Sequence, residues 1–273
     1  RVVDANISDF GQSRILFLDI DSHSVQPEKV NEFFYPEIYP VFSYLKKDIK
    51  DILVIGAGAY TLPKYFKEYY KKSTVSVIEV DPEMKKISED YFGLKNYDIN
   101  TIVGDARMVM RKDTSKYDLI FSDAYNSFIS VPWYLLTTEW DAEVKKRLNN
   151  NGIYAINFIG SLVGKNSGFA MSVLDTFKIS FPNLYIFSFD LDPGAIQNIV
   201  LIGINGNLPI EETDFYKKLK LDGSFLYNRM SPTKYFTNTS STIITDDFAP
   251  IEKLMVPTMS DFLSENIGFI KNY

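Results

Sequence analysis

Residues 51–66 read DILVIGAGAYTLPKYF, a run of aliphatics that breaks into glycines and resumes with helical spacing. A short apolar run bounded by glycine reads as a buried strand, and residues 61–71 as a helix packed back against it. Gly56 and Gly58 fall at the join. Glycine permits positive φ and close backbone approach, and a helix N-terminus supplies N–H groups beside it, so the turn suits a crossing ligand as well as a tight structural bend. The G-x-G-x-x-G pattern of dinucleotide sites is incomplete, because Thr61 stands where the third glycine belongs.

Outward from this turn the chain alternates. TVSVIEV (74–80), INTIVG (99–104), YDLIFSD (117–123) and GIYAINFI (152–159) read as strands, with helices expected at PEMKKISEDYF (82–92) and over 133–148. Strands alternating with helices indicate parallel βαβ units. NLYIFSFD (183–190) and NIVLIGI (198–204), separated by LDPGAIQ, read as a terminal hairpin. A mostly parallel, seven-stranded Rossmann-like sheet ending in an antiparallel hairpin is the pattern of class I AdoMet-dependent enzymes. Residues 1–48, with short strands around SRILFLDI (13–20) and a proline-limited aromatic stretch at 30–45, are expected to form a small β-rich domain. Residues 49–273 form the Rossmann-like domain with a C-terminal extension of turns, a helical ETDFYKKLKL (212–221) and a loop ITDDFAPIEKL (244–254).

Four consecutive strand ends carry chemistry. The first has Gly56 and Gly58. The second ends in Glu79, 23 positions after Gly56, where an acid can accept two hydrogen bonds from a ribose diol. The third ends in GDAR, where Asp105 could accept from an adenine amino group, and the fourth in SDAYNS, with Asp123. All fall on the carboxyl edge, where open α/β sheets bind ligands. Asp81 followed by Pro82 reads as a helix cap.

Composition narrows the class. The 29 Lys and Arg against 35 Asp and Glu give a net charge of −6, with no extended basic run, which argues against a nucleic-acid footprint and is compatible with a cationic small substrate. Cysteine is absent, which removes disulfides, thiolate nucleophiles and cysteine metal sites. No His/Asp/Glu set has metal-ligand spacing, and no metal is expected. No segment approaches the length of a membrane helix, the start is not a secretory signal, and a cytoplasmic protein is expected.

The motifs VIGAG (54–58), VIEVDP (77–82), GDAR (104–107) and DAYNS followed by VPWYLLTTEW (123–140) resemble those of the spermidine synthase, or polyamine aminopropyltransferase, family. Residues 123–161 and ITDDFAPIE (244–252) look most like the branch fused to membrane transporter-like segments. The resemblance implies a class I AdoMet fold with a small N-terminal β domain, and a homodimer. It implies decarboxylated AdoMet or AdoMet as co-substrate and an amine or polyamine as acceptor. Gly56, Ala57, Gly58, Glu79, Val80, Asp105, Ala106, Asp123 and Ala124 would line the donor site, with Glu79 on the ribose and Asp105 and Ala106 at the adenine. Asp123 would be the base at the reacting amine, with Tyr35 beside it. Tyr35, Glu37, His23 and Tyr125 would face the acceptor.

Two departures leave alternatives open. The synthases usually read GGGDGG at the turn, where the acid grips the aminopropyl amine; Ala59 stands there, followed by Tyr60. They usually read DSSDP at the fourth strand end, and DAYNS lacks the second acid. An uncharged residue at 59 also removes a repulsion toward the carboxylate of AdoMet, so a methyltransferase is the alternative reading. A catalytically silent nucleoside-binding module is the third.

Overall fold

A computed structural model describes residues 1–7, 11–18, 21–27, 40–125, 131–207, 209–222, 230–231 and 241–270. Strands β1 (Val2–Ile7), β2 (Gly11–Leu18) and β3 (Asp21–Pro27) form an antiparallel sheet in sequence order. After helix α1 (Val41–Leu45) come β4 (Asp51–Ile55), α2 (Thr61–Tyr69), β5 (Thr74–Glu79), α3 (Pro82–Tyr91), β6 (Asn100–Val103), α4 (Ala106–Lys112), β7 (Tyr117–Tyr125), α5 (Thr138–Arg147), β8 (Leu148–Gly160) and α6 (Gly168–Ser180). The chain continues with β9 (Leu184–Ser188), β10 (Gln197–Ile204), α7 (Glu212–Leu221), the two-residue β11 (Met230–Ser231) and α8 (Ile251–Ile270).

The large sheet runs β6-β5-β4-β7-β8-β10-β9, with β11 added at the far edge. The pairs from β6 to β8 are parallel; β10 is antiparallel to both β8 and β9. Strand order reverses between β4 and β7, so a crevice opens at their carboxyl ends, where such sheets bind ligands.

Both faces are covered, which is why the central strands are apolar on both sides rather than alternating. On one face Leu53, Ile55, Ile120, Tyr154 and Ile156 pack with Met110, Trp140, Val144, Phe169 and Phe177. On the other, Val54, Val77, Phe121 and Ala155 pack with Val41, Phe42, Phe66, Phe215 and Leu219. The apolar layer thus reaches back through α1 to residue 41.

Four elements differ from the sequence expectation. The helix expected over 133–148 is a 3-10 turn (Trp133–Leu135) followed by α5, because Thr137 caps α5 by accepting the amide of Trp140 at 3.2 Å. Helix α4 occupies a stretch read only as strand flanks; Asp105 starts it by accepting the amide of Met108 at 2.9 Å. Helix α6 is apolar on nearly every side because it is buried between the sheet and its helical neighbours, so it lacks the polar stripe that marks a surface helix. Helix α8 begins inside the expected loop and carries Pro257 within it. Ile251, Met255 and Thr258, at helical spacing, are buried, and that packing outweighs the local penalty of an internal proline.

Candidate active site

The glycine turn is clamped to the end of β7. Gly56 has φ +82°, and a β-carbon there would stand 2.9 Å from the carbonyl oxygen of Asp123 and 3.2 Å from the Cα of Ala124. Glycine is therefore required at this position twice, for its backbone conformation and for space. Gly58 is also left-handed, as is Tyr60, the N-cap of α2.

Glu79 ends β5 beneath this turn and is 7% exposed. Its Oε2 accepts the amide of Ala57 at 2.8 Å and its Oε1 the amide of Asp81 at 2.9 Å. Two backbone donors fix the carboxylate's plane, and each oxygen retains a further lone pair for a ligand hydroxyl. Val80, next in the chain, is 67% exposed at the mouth. Asp81 caps α3 by accepting the amide of Glu83 at 2.9 Å, with Pro82 at the first helical position.

Asp105 stands at the next strand end as the cap of α4. The Tyr134 hydroxyl lies against it: burial first, then the Asp105 charge, raise the tyrosine's pKa. Ala106 turns its methyl group into the core. Arg107 reaches away from the sheet and donates from one Nη2 to both oxygens of Asp246, at 2.6 and 2.7 Å. Thr137 donates to the same carboxylate at 2.7 Å. Burial pushes Asp246 up, but the hydrogen bonds from Thr137 and Arg107 hold it below the usual carboxylate range. The TDD segment is thereby tied to the start of α4.

Asp123 owes its position to an irregularity. Ser122 pairs with Ile156 and Tyr125 with Phe158, so Asp123 and Ala124 together oppose Asn157 alone. Such a bulge re-aims a side chain at a strand end. Asp123 Oδ1 accepts from Asn157 Nδ2 at 2.8 Å. Asn157 is 1% exposed, and among the described residues its Oδ1 has no hydrogen-bond partner. Sequence reasoning passed over Asn157, although a lone amide inside the apolar run IYAINFI is itself a mark of a buried polar role.

The structure thus brings Gly56, Ala57, Gly58, Glu79, Asp123 and Ala124 to one crevice, with Val80 and Asp105 along its edge. Tyr35 and Glu37 lie outside the described residues, as do the side chains of His23 and Tyr125. Ala59 does not face the crevice as the sequence comparison suggested: it is fully buried against Leu16, Met84 and Phe92, where β2 meets α3. Its amide donates to Ser24 Oγ of β3 at 3.0 Å. Among the described residues no group of three or more His, Cys, Asp or Glu could hold a metal ion, and no helix is long and apolar enough to cross a membrane.

The architecture is that of a known group. A crystal structure of a probable spermidine synthase from Corynebacterium glutamicum ATCC 13032 superposes with a TM-score of 0.69 at 20% identity, covering 89% of this chain and 92% of that one. The chain has a spermidine synthase-like, class I AdoMet fold. Curated proteins are similar in sequence: a probable polyamine aminopropyl transferase of Bifidobacterium longum (strain NCC 2705) is 24% identical over 244 residues, 82% of this chain and 53% of that protein. A polyamine aminopropyltransferase of Vibrio vulnificus (strain CMCP6) is 28% identical over 167 residues, 59% of this chain and 52% of that protein. The human eEF1A lysine and N-terminal methyltransferase is 25% identical over 147 residues, half of this chain and 20% of that protein. No protein-family model matches the chain. The chain spans about half the length of the curated aminopropyltransferases it matches.

Proposed function

We propose that the chain is a polyamine aminopropyltransferase, a transferase that moves an aminopropyl group from decarboxylated AdoMet to an amine. One observation carries the reading: a braced carboxylate, Glu79, and a second strand-end carboxylate, Asp123, which accepts from Asn157, flank a glycine turn in which the amides of Ala57 and Ala59 are already bonded to protein side-chain oxygens. A phosphate would need those amides and would meet the charge of Glu79. A ribose diol needs an acceptor and a sulfonium is cationic, so a nucleoside sulfonium suits the crevice better than a dinucleotide. The aminopropyltransferase relatives supply the reaction.

In this reading Glu79 accepts from the ribose hydroxyls, Val80 offers an apolar surface to the base, and Asp105 with Ala106 bounds the adenine end. Gly56 and Gly58 allow the donor to lie close to the backbone. The acceptor ammonium is drawn to Asp123, which takes its proton. The free amine then attacks the carbon beside the sulfonium as the carbon–sulfur bond breaks, leaving methylthioadenosine as a neutral thioether. Positioning and proton removal are the protein's contribution. Tyr35, Glu37, His23 and Tyr125 are the candidate contacts to the acceptor. A cytoplasmic homodimer goes with the reading, and sedimentation of the purified protein checks the dimer.

The deciding experiment supplies decarboxylated AdoMet and AdoMet, each with a panel of di- and polyamines, and follows methylthioadenosine and new amine products. Aminopropyl products with the decarboxylated donor support the proposal. Methylated products and adenosylhomocysteine from AdoMet would show the methyltransferase alternative, and tight methylthioadenosine binding without transfer the silent module.

A further inference from the structure

The carboxyl group of AdoMet is what distinguishes the two donors, and a carboxylate needs hydrogen-bond donors. In a strand–turn–helix of this kind the local donors are the amides of the turn and of the first helical residues. Here three of the turn's amides are committed. The amide of Ala57 is held by Glu79 Oε2 at 2.8 Å, that of Ala59 by Ser24 Oγ at 3.0 Å, and that of Tyr60 by the Ala57 carbonyl at 2.7 Å. Within the first helical turn Pro63 has no N–H and Lys64 donates its amide to the Tyr60 carbonyl at 3.1 Å, so neither offers a donor. Glu79 also sets a negative charge against the turn.

Of these acceptors Ser24 is the only one that comes from the N-terminal sheet, and β3 holds it there. Gln26, two residues along, accepts from Lys64 Nζ, which also donates to the Phe92 carbonyl at 2.6 Å. Leu16 of β2 packs against Ala59, Met84 and Phe92. Arg14 Nη1 donates to the Tyr91 carbonyl at 2.6 Å. The hydroxyl of Ser24 is thus delivered to the Ala59 amide by a docked sheet.

The geometry points to Ser24 as a specificity-determining residue for the donor: by occupying the Ala59 amide it denies that donor to a carboxylate, and so favours the decarboxylated donor over AdoMet. Ser24 acts through the backbone of the turn and is a positioning residue. The inference rests on the nucleoside-sulfonium reading above. It replaces the expected role of Ala59, whose side chain points into an apolar cluster.

The test is calorimetric titration of wild type, Ser24→Ala and Ser24→Thr with AdoMet, decarboxylated AdoMet and methylthioadenosine, which has no charged tail. Wild type and Ser24→Thr are expected to share one ratio of affinities for the two donors. In Ser24→Ala that ratio shifts toward AdoMet by about tenfold, the scale of one hydrogen bond, while methylthioadenosine affinity stays within about twofold. If Ser24→Ala does not fold, Ser24→Cys, close in size and a weak acceptor, makes the same comparison. An unchanged ratio overturns the role of Ser24 and leaves the nucleoside reading standing. A shift away from AdoMet overturns it too, since it would mean that the serine itself holds the carboxylate. Failure of wild type to bind methylthioadenosine overturns the nucleoside reading, and this inference with it.

Discussion

Glu79 Oε2 accepts the amide of Ala57 at 2.8 Å, so the acid at the end of the second parallel strand and the glycine turn at the end of the first are one hydrogen-bonded unit. A ligand that meets one meets the other. Replacing Glu79 with Ala removes both the turn's brace and the proposed ribose acceptor. Methylthioadenosine affinity is expected to fall by about 1.5–3 kcal/mol, the scale of hydrogen bonds to a charged group. Unchanged affinity in titration would show that Glu79 serves the turn alone.

Asp123 accepts from Asn157 Nδ2 at the bulge in β7. Asp123→Asn keeps the shape but loses the charge and the basicity, so fold and nucleoside affinity are expected to persist while turnover is lost. Full activity in the variant would remove Asp123 as the base. Asn157→Ala removes this contact to the carboxylate, and is expected to lower kcat more than it changes nucleoside binding.

Gly56→Ala places a methyl group 2.9 Å from the Asp123 carbonyl at a φ of +82°. The strained backbone alone costs about 1–3 kcal/mol, and the contact adds to it. Thermal denaturation is expected to show a lower Tm, accompanied by weaker nucleoside binding because Asp123 and Ala124 are pushed away. A Tm equal to wild type would mean that turn and strand separate freely.

Lys64 supplies a pH dependence. It is buried, and that burial lowers its pKa from 10.5 to about 8. In the unfolded chain it keeps the higher value, so between roughly pH 8 and pH 10.5 the unfolded state binds more protons and stability rises with pH. Below pH 8 both states are protonated and the cost is constant, about 3 kcal/mol for a shift of this size. Comparing chemical denaturation of wild type and Lys64→Met across this window isolates the effect. The difference between them is expected to move in favour of wild type as pH rises, and a pH-independent difference would refute it.

Asp141, on α5, is 3% exposed, and burial raises its pKa well above the ordinary carboxylate range. Its native pKa exceeds its unfolded one, so the native state binds more protons and this residue's contribution to stability falls as pH rises from the unfolded value through the native value. Asp141→Asn removes the ionisation at nearly constant volume. It is expected to stabilise the protein at pH 8 relative to wild type, with the advantage shrinking toward pH 4. Equal urea midpoints at both pH values would contradict this.

The sequence by itself determined the parallel sheet, its terminal hairpin and the series of acids at the strand ends. Each is local: a run of β-branched residues between glycine or acidic caps fixes where a strand stops, and strand ends in parallel units share one edge. It did not show α6, whose burial removes the amphipathic stripe, or α8, where Ile251 and Met255 make a helix of a proline-containing stretch by packing on distant residues. At the candidate site, the strand-end positions of Glu79 and Asp123 were legible because a carboxylate at a strand end is a local feature. Only the tertiary structure decided what surrounds them. A bulge set Asn157 against Asp123, Gly56 came within van der Waals reach of a strand some 65 residues away, and a separate three-stranded sheet delivered Ser24 to the Ala59 amide. Such pairings depend on register and docking between segments far apart in the chain, which residue type and spacing do not encode locally.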